Sequence, residues 1–159
     1  MGLASRQPAA IRHPDMDTST PSTDAPGPLG PLVRIGTIRS TLRSLADAPR
    51  QGDEGAPDAW LEVEPGFAPA LDGLRAGDSL VLITWLDRAN RDVLATHPRN
   101  DTALPLIGVF ATRSPDRPNP LGLHHVTIRH IEGPRLRIGP IEAIDGTPVV
   151  DVKIGWGGS

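Results

Sequence analysis

The sequence predicts a mainly β protein, a small single-sheeted β-barrel with one or two short helices. Three observations predict it. Short apolar runs, several with two-residue alternation, recur between residues 32 and 154; Gly or Pro punctuates most gaps between them; only one segment has clear helical spacing. No long βαβ alternation occurs, and neither a Gly-x-Gly-x-x-Gly run nor a P-loop is present, so a Rossmann-type site is unsupported.

The elements follow in order. Leu32 to Ser40 carries Val33 and Ile35 against Arg34 and Arg39 and suits a first strand. Residues 43 to 57 are polar, with Pro49, Gly52, Gly55 and Pro57, and read as a long loop. Trp60 to Glu64 alternates as a strand. Phe67, Ala70, Leu71 and Leu74 stand at helical spacing, and Gly77 follows as a helix stop. Ser79 to Leu86 is a continuous apolar run rich in β-formers, expected to be a strand buried on both faces. Residues 87 to 103 read as loop and Leu104 to Phe110 as a short strand. Leu123 to Ile131 alternates, with Val126, Ile128 and His130 on one face and Thr127, Arg129 and Ile131 on the other. Gly133-Pro134 turns the chain into Arg135 to Ile138. Ile141 to Ile144, the turn Asp145-Gly146-Thr147-Pro148 and a last strand, Val149 to Ile154, complete the barrel.

Composition narrows the function. Residues 1–31 are rich in Pro, Ser, Thr, Asp and Ala with few large apolar side chains, so a disordered leader is expected ahead of a barrel domain over 32–159. The chain has no cysteine, which excludes disulfides, thiolate metal sites and cysteine nucleophiles. Its five histidines lack the spacing of a metal-binding helix, and no metal is expected. A formal net charge of −3 argues against nucleic-acid binding by bulk electrostatics, while leaving room for a local basic face from Arg88, Arg91, Arg99, Arg113 and Arg117. Neither a signal-peptide core nor a spanning segment is seen, so a soluble, cytoplasmic protein without membrane contact is expected.

Residues 108 to 123 read Gly-Val-Phe-Ala-Thr-Arg-Ser-Pro-Asp-Arg-Pro-Asn-Pro-Leu-Gly-Leu. Proline fixes φ and removes a donor, so Pro115, Pro118 and Pro120 make a stiff connection. Two readings stand: a proline-rich surface turn, or a preorganised mount for Arg113 and Arg117 that lowers the entropic cost of binding an anion. Arg113 offers a planar donor fork suited to a carboxylate. Asn119 either orients a substrate or satisfies the loop's own backbone. Asp145 is either a turn cap before glycine or an acceptor contact or base.

This string resembles the signature of the TsaA-like proteins, the TrmO family of tRNA adenosine N6-methyltransferases. Ile35-Gly36-Thr37-Ile38-Arg39-Ser40, Ala48-Pro49-Arg50-Gln51-Gly52 and Asp145-Gly146-Thr147-Pro148-Val149-Val150-Asp151-Val152-Lys153 resemble three further family stretches in the same order. The resemblance covers roughly residues 33 to 156. It implies a barrel that binds S-adenosyl-L-methionine, works as a homodimer and methylates the N6 amino group of threonylcarbamoyl-adenosine beside the anticodon of tRNA. Carried over by motif position, the cofactor contacts would be Pro49, Arg50, Gln51, Leu86, Asp87, Arg113, Leu123, Ala143, Ile144, Asp145 and Gly146. Asp145, Arg113 and Asn119 are the candidates for work at the reacting centre. Asp87 stands where the family carries His, and Asp116 where it often does. The same cofactor with another RNA or a small-molecule acceptor, and a non-catalytic binding module, are the alternatives.

Overall fold

The computed structural model describes residues 27 and 29–156. Its eight strands are β1 Gly36–Arg39, β2 Ala59–Val63, β3 Ser79–Trp85, β4 Ala95–Thr96, β5 Ile107–Gly108, β6 Leu121–Glu132, β7 Arg135–Gly139 and β8 Pro148–Ile154. Six of them close an antiparallel barrel in the order β1-β2-β7-β6-β3-β8, and β4 and β5 pair as a separate ribbon. Closure leaves the barrel no open edge. The expected leader lies, but for residues 27 and 29–31, outside the described residues.

The core is the inward face of the barrel. Ile38, Leu61, Leu80, Leu82, Leu136, Ile138, Ile141 and Val149 are fully buried in one cluster. Each such side chain contributes about 1.5–3 kcal/mol by leaving water. Tight docking of β1 on its neighbours needs Gly36, where a Cβ would stand 2.7 Å from the Glu62 carbonyl oxygen.

Four sequence expectations are corrected by tertiary context. The run from Ser79 is buried on alternate residues only: Leu80, Leu82 and Thr84 point inward, whereas Val81, Ile83 and Trp85 stay half-buried. The barrel has a single core, so the outward row remains apolar on the outside. The segment after Glu64 is a 3-10 helix, Pro65–Leu71, with Pro69 inside it. Leu71 and Leu74 pack against the core while Phe67 and Ala70 are exposed, and the helix stops before Gly77. Leu104 to Phe110 supplies only the two-residue β5, then a 3-10 helix over Val109–Ala111. Finally, β6 carries a bulge: Ile128 pairs with Ile138 and His130 with Arg137, leaving Arg129 as the extra residue. The bulge reverses the inward phase. Ile131 therefore packs against the core and His130 is exposed.

Candidate functional site

The proline loop is built from its own side chains. The Thr112 hydroxyl donates to the Val109 carbonyl at 2.9 Å and accepts from the Ser114 N–H at 3.1 Å. Arg117 points inward: Nε donates to the Ser114 carbonyl at 2.7 Å, and Nη2 to the carbonyls of Val109 at 3.0 Å and Thr112 at 2.6 Å. A guanidinium with three of its five donors on carbonyls of its own loop acts as a staple. Arg113, four residues earlier, is exposed and lines a cavity of about 210 Å³ with Gln51, Leu123, His124, His125 and Glu142. The two arginines of the loop thus divide the work: one shapes it, the other is presented by it.

A second segment is stitched to the loop. Asp116 Oδ1 accepts from the Asn90 N–H at 2.8 Å, and Arg91 Nε donates to the Pro118 carbonyl at 2.8 Å. Arg91 also reaches Asn119 Oδ1 at 3.4 Å and lies 5.3 Å from the Trp85 ring centroid. Leu86 N–H donates to the Pro120 carbonyl at 2.8 Å. Asp116 therefore ties two loops together in this chain. Asn119 is exposed at the junction, Leu86 is half-buried, and Asp87 is exposed with its N–H turned back to the Trp85 carbonyl.

Beside the cavity lies a buried polar network. His124 sits inside the barrel opposite Leu82, only 6% exposed. Its Nδ1 is 2.7 Å from Glu142 Oε1 and its Nε2 is 2.8 Å from Thr84 Oγ1. An ionised carboxylate has no proton to give, so Nδ1 carries one and donates to Glu142, while Nε2 shares a hydrogen bond with the threonine hydroxyl. Burial pushes the Glu142 carboxyl up, but the His124 hydrogen bond and charge, its own backbone N–H and the Arg113 charge outweigh it. The group is held below its ordinary value. Its ionised form consequently favours the folded chain above that value, a contribution lost as pH falls through the lowered one. In urea melts, Glu142→Gln should be less stable than wild type by about 1 kcal/mol at neutral pH. The gap should close on acidification; a gap constant with pH would refute the ion pair.

The remaining predicted residues fall in three places. Pro49 is half-buried and Arg50 and Gln51 exposed, just ahead of the 3-10 helix Gly52–Glu54. This loop rests on the segment that carries Glu142: a Cβ at Gly52 would stand 2.9 Å from the Pro140 carbonyl oxygen and 3.3 Å from Glu142 Oε2. Ala143 and Ile144 are buried. The backbone of this turn is engaged within the protein: Ile144 O accepts from Thr147 N–H, Asp145 N–H donates to Leu42 O, and Gly146 N–H donates to Ile38 O. Gly146 makes that turn at φ +84°, a conformation glycine adopts without steric cost. The Asp145 carboxylate accepts from the Ser40 N–H at 3.0 Å and pairs with Arg43 at 2.7 Å, lining a second, separate groove.

The structure therefore gathers Gln51, Arg113 and Leu123 about one cavity and puts Asp145 in another. Sequence reasoning missed His124 and Glu142. Both left a trace: His124 shares the inward phase of Val126, and Glu142 interrupts an otherwise apolar run from Ile141 to Ile144. The basic face expected from residues 88–117 does not include Arg117, which folds into its loop.

Comparison with known proteins places the chain among relatives. Residues 37–154 match the family model described as the tRNA-methyltransferase O N-terminal domain. A probable S-adenosyl-L-methionine-binding protein of Archaeoglobus fulgidus is 41% identical over 122 residues, 77% of this chain and 33% of that protein. The probable S-adenosyl-L-methionine-binding protein VirR of Rhizobium radiobacter is 35% identical, covering 77% of this chain and 69% of the relative. A crystal structure of TrmO from Pseudomonas aeruginosa superposes with a TM-score of 0.64 at 31% identity, over 79% of this chain and 55% of that one. The chain thus spans a third of the first relative and a little over half of the solved one.

Proposed function

The chain belongs to the family of the tRNA-methyltransferase O N-terminal domain, and from that membership we propose that it binds S-adenosyl-L-methionine and transfers its methyl group to tRNA. The acceptor on this reading is the N6 amino nitrogen of threonylcarbamoyl-adenosine beside the anticodon. One observation carries the reading. The signature loop presents Arg113 into the same cavity as the depressed carboxylate of Glu142. A cation and an anion lining one cavity fit the zwitterionic amino-acid end of the donor: the guanidinium fork takes the carboxylate, and Glu142 takes the ammonium. Gln51 and Leu123 complete that wall.

Bound there, S-adenosyl-L-methionine supplies a methyl carbon on a sulfonium. The chemistry it would supply is an electrophilic methyl for in-line attack by the acceptor nitrogen, and Arg113, Glu142, Gln51 and Leu123 are the residues that would hold it. What the protein adds is alignment, with reacting atoms about 3–3.5 Å apart. The stiff loop serves it, since Arg117 and the prolines brace the backbone that carries Arg113.

The outer surface supports a homodimer. Leu94, Leu106 and Phe110, which flank the strands of the β4–β5 ribbon, are 69%, 59% and 83% exposed, and Leu121 and Leu123 on β6 are exposed beside the half-buried Ile83 and Trp85. So many large apolar groups left in water mark an interaction surface. Phe110→Asp should shift the protein from dimer to monomer in analytical ultracentrifugation; an unchanged sedimentation coefficient would remove this face from the interface. Among the described residues no helix is long and apolar enough to cross a membrane, and a cytoplasmic enzyme is the reading that fits a tRNA substrate.

The test is direct. Purified protein, donor labelled in its methyl group and tRNA from cells lacking the gene should yield label in threonylcarbamoyl-adenosine after nucleoside digestion. Label in another nucleoside would move the acceptor. Donor binding without transfer to tRNA would leave another acceptor or a binding module, and no donor binding would overturn the reading.

A further inference from the structure

A second groove lies apart from the proline-loop cavity and shares no lining residue with it. It encloses about 410 Å³ and is walled by Arg39, Ser40, Arg43, Trp60, Arg137 and Asp145. None of its arginines lines the proline-loop cavity. We propose that this groove is a nucleotide subsite, in which the Trp60 indole stacks on one base of an RNA strand and Arg39, Arg43 and Arg137 hold its phosphates. The proposal rests on the RNA-acceptor reading above and adds where on this chain the strand is gripped.

Strand pairing builds the site. Arg39 on β1 stands opposite Trp60 on β2, Trp60 opposite Arg137 on β7, and Arg137 opposite His130 on β6. One row across four strands therefore reads cation, indole, cation, imidazole. All four lie on the outer face, half-buried or exposed. Arg43 joins the row from the loop after β1. The indole is already held: the Arg135 guanidinium lies 4.4 Å from the ring centroid, and His130 meets the ring edge-on at 6.4 Å. A flat ring fixed in advance between cations is the element that single-stranded nucleic-acid sites use, because every base has a π face and every linkage a negative charge.

The charges fit a polyanion better than a set of closed ion pairs. Asp58 is shared between Arg129 at 3.6 Å and Arg137 at 3.7 Å. Glu62 is shared between Arg39 at 3.0 Å and Arg135 at 3.7 Å. Each carboxylate orients two guanidiniums and neutralises one, and the long pairs are too loose to be saturated. Arg43 is 74% exposed while paired with Asp145, and Arg137 is 54% exposed, so both remain open to a phosphate. Glu62, with Glu132 opposite Arg135 on the neighbouring row, borders the stripe and repels a strand that strays from it.

The experiment uses the full chain and fluorescein-labelled single-stranded oligouridylate, read by anisotropy across a salt series, with adenosine monophosphate as competitor. The wild type should bind with affinity falling steeply with salt. Arg39→Ala/Arg137→Ala should weaken binding at least about 10-fold and reduce the log–log salt slope by roughly 1.4, two phosphate contacts at about 0.7 each. Trp60→Ala should weaken it roughly 10-fold with the slope kept, since stacking carries no charge. Arg39→Lys/Arg137→Lys should retain most of the salt slope, and Arg75→Ala, outside the groove, should bind as wild type. Thermal melts and S-adenosyl-L-methionine binding should be unchanged in every variant, which separates lost RNA contact from lost fold or lost donor site. If tRNA is methylated but these variants bind the oligonucleotide as wild type does, the subsite is refuted and the methyltransferase reading stands. Binding of neither oligonucleotide nor tRNA by the wild type would overturn both. Full displacement by the monophosphate at concentrations equal to the strand would replace the RNA strand by a free nucleotide, and selective binding of polyglutamate would replace it by an acidic peptide.

Discussion

Arg113→Ala is expected to weaken S-adenosyl-L-methionine binding by roughly 30- to 150-fold in calorimetric titration, with the melting temperature unchanged. The size follows from removing a charge-assisted bidentate contact, about 2–3 kcal/mol. The unchanged melt follows from its position, exposed at the cavity rim. Arg117→Ala should do the reverse. The carbonyl oxygens of Thr112 and Ser114 would lose the Arg117 donor, and that of Val109 would keep only its bonds from Thr112. A loss of about 2 kcal/mol and about 6–10 °C in melting temperature is expected. Donor affinity should fall only as far as the loop loosens. Equal effects of the two substitutions on affinity and melting would refute the division between presenter and staple. Wild-type donor affinity in Arg113→Ala would take the amino-acid end of the donor out of this cavity.

The second large effect is at Gly122, inside the barrel. A Cβ there would collide with Thr84 Oγ1 and would stand 2.8 Å from His124 Nε2. Both atoms belong to the hydrogen bond that completes the Thr84–His124–Glu142 chain. Gly122→Ala should thus separate the pair and leave buried polar atoms unpartnered, costing about 3 kcal/mol or about 10 °C. Gly66→Ala is the matched control, since nothing lies within 4 Å of its Cβ position. It should change stability by less than about 0.5 kcal/mol. Differential scanning calorimetry of the two variants decides it: a Gly122→Ala melt within 2–3 °C of wild type, roughly 1 kcal/mol, would mean that the network is not under tension of space.

Much of the barrel was legible because a strand's period is local. Trp60 to Glu64, Ser79 to Leu86, Arg135 to Ile138 and Val149 to Ile154 all became strands within a residue or two of their expected limits. The helix at Phe67 was less so, since Pro69 and the lack of a core-facing stripe shorten it to a 3-10 turn. The phase of His130 and Ile131 was not legible at all. A bulge is a relation between two strands, and only the pairing of β6 with β7 shows it.

By itself the sequence determined the fold class, the positions of most barrel strands, the stiffness of the loop around Pro115, Pro118 and Pro120, and the family signature. These depend on residues within a few positions of each other, and φ restriction and alternation act at that range. Tertiary structure alone decided which cations are available. Arg113 and Arg117 have the same chemistry and nearly the same address, yet one is spent on three carbonyls and the other opens on a cavity. It also decided that His124 meets Glu142 across 18 residues and Thr84 across 40. The row from Arg39 through Trp60 to Arg137 spans about 100 residues of chain. Closing the barrel sets those neighbours, because strand register brings together side chains that no local pattern relates.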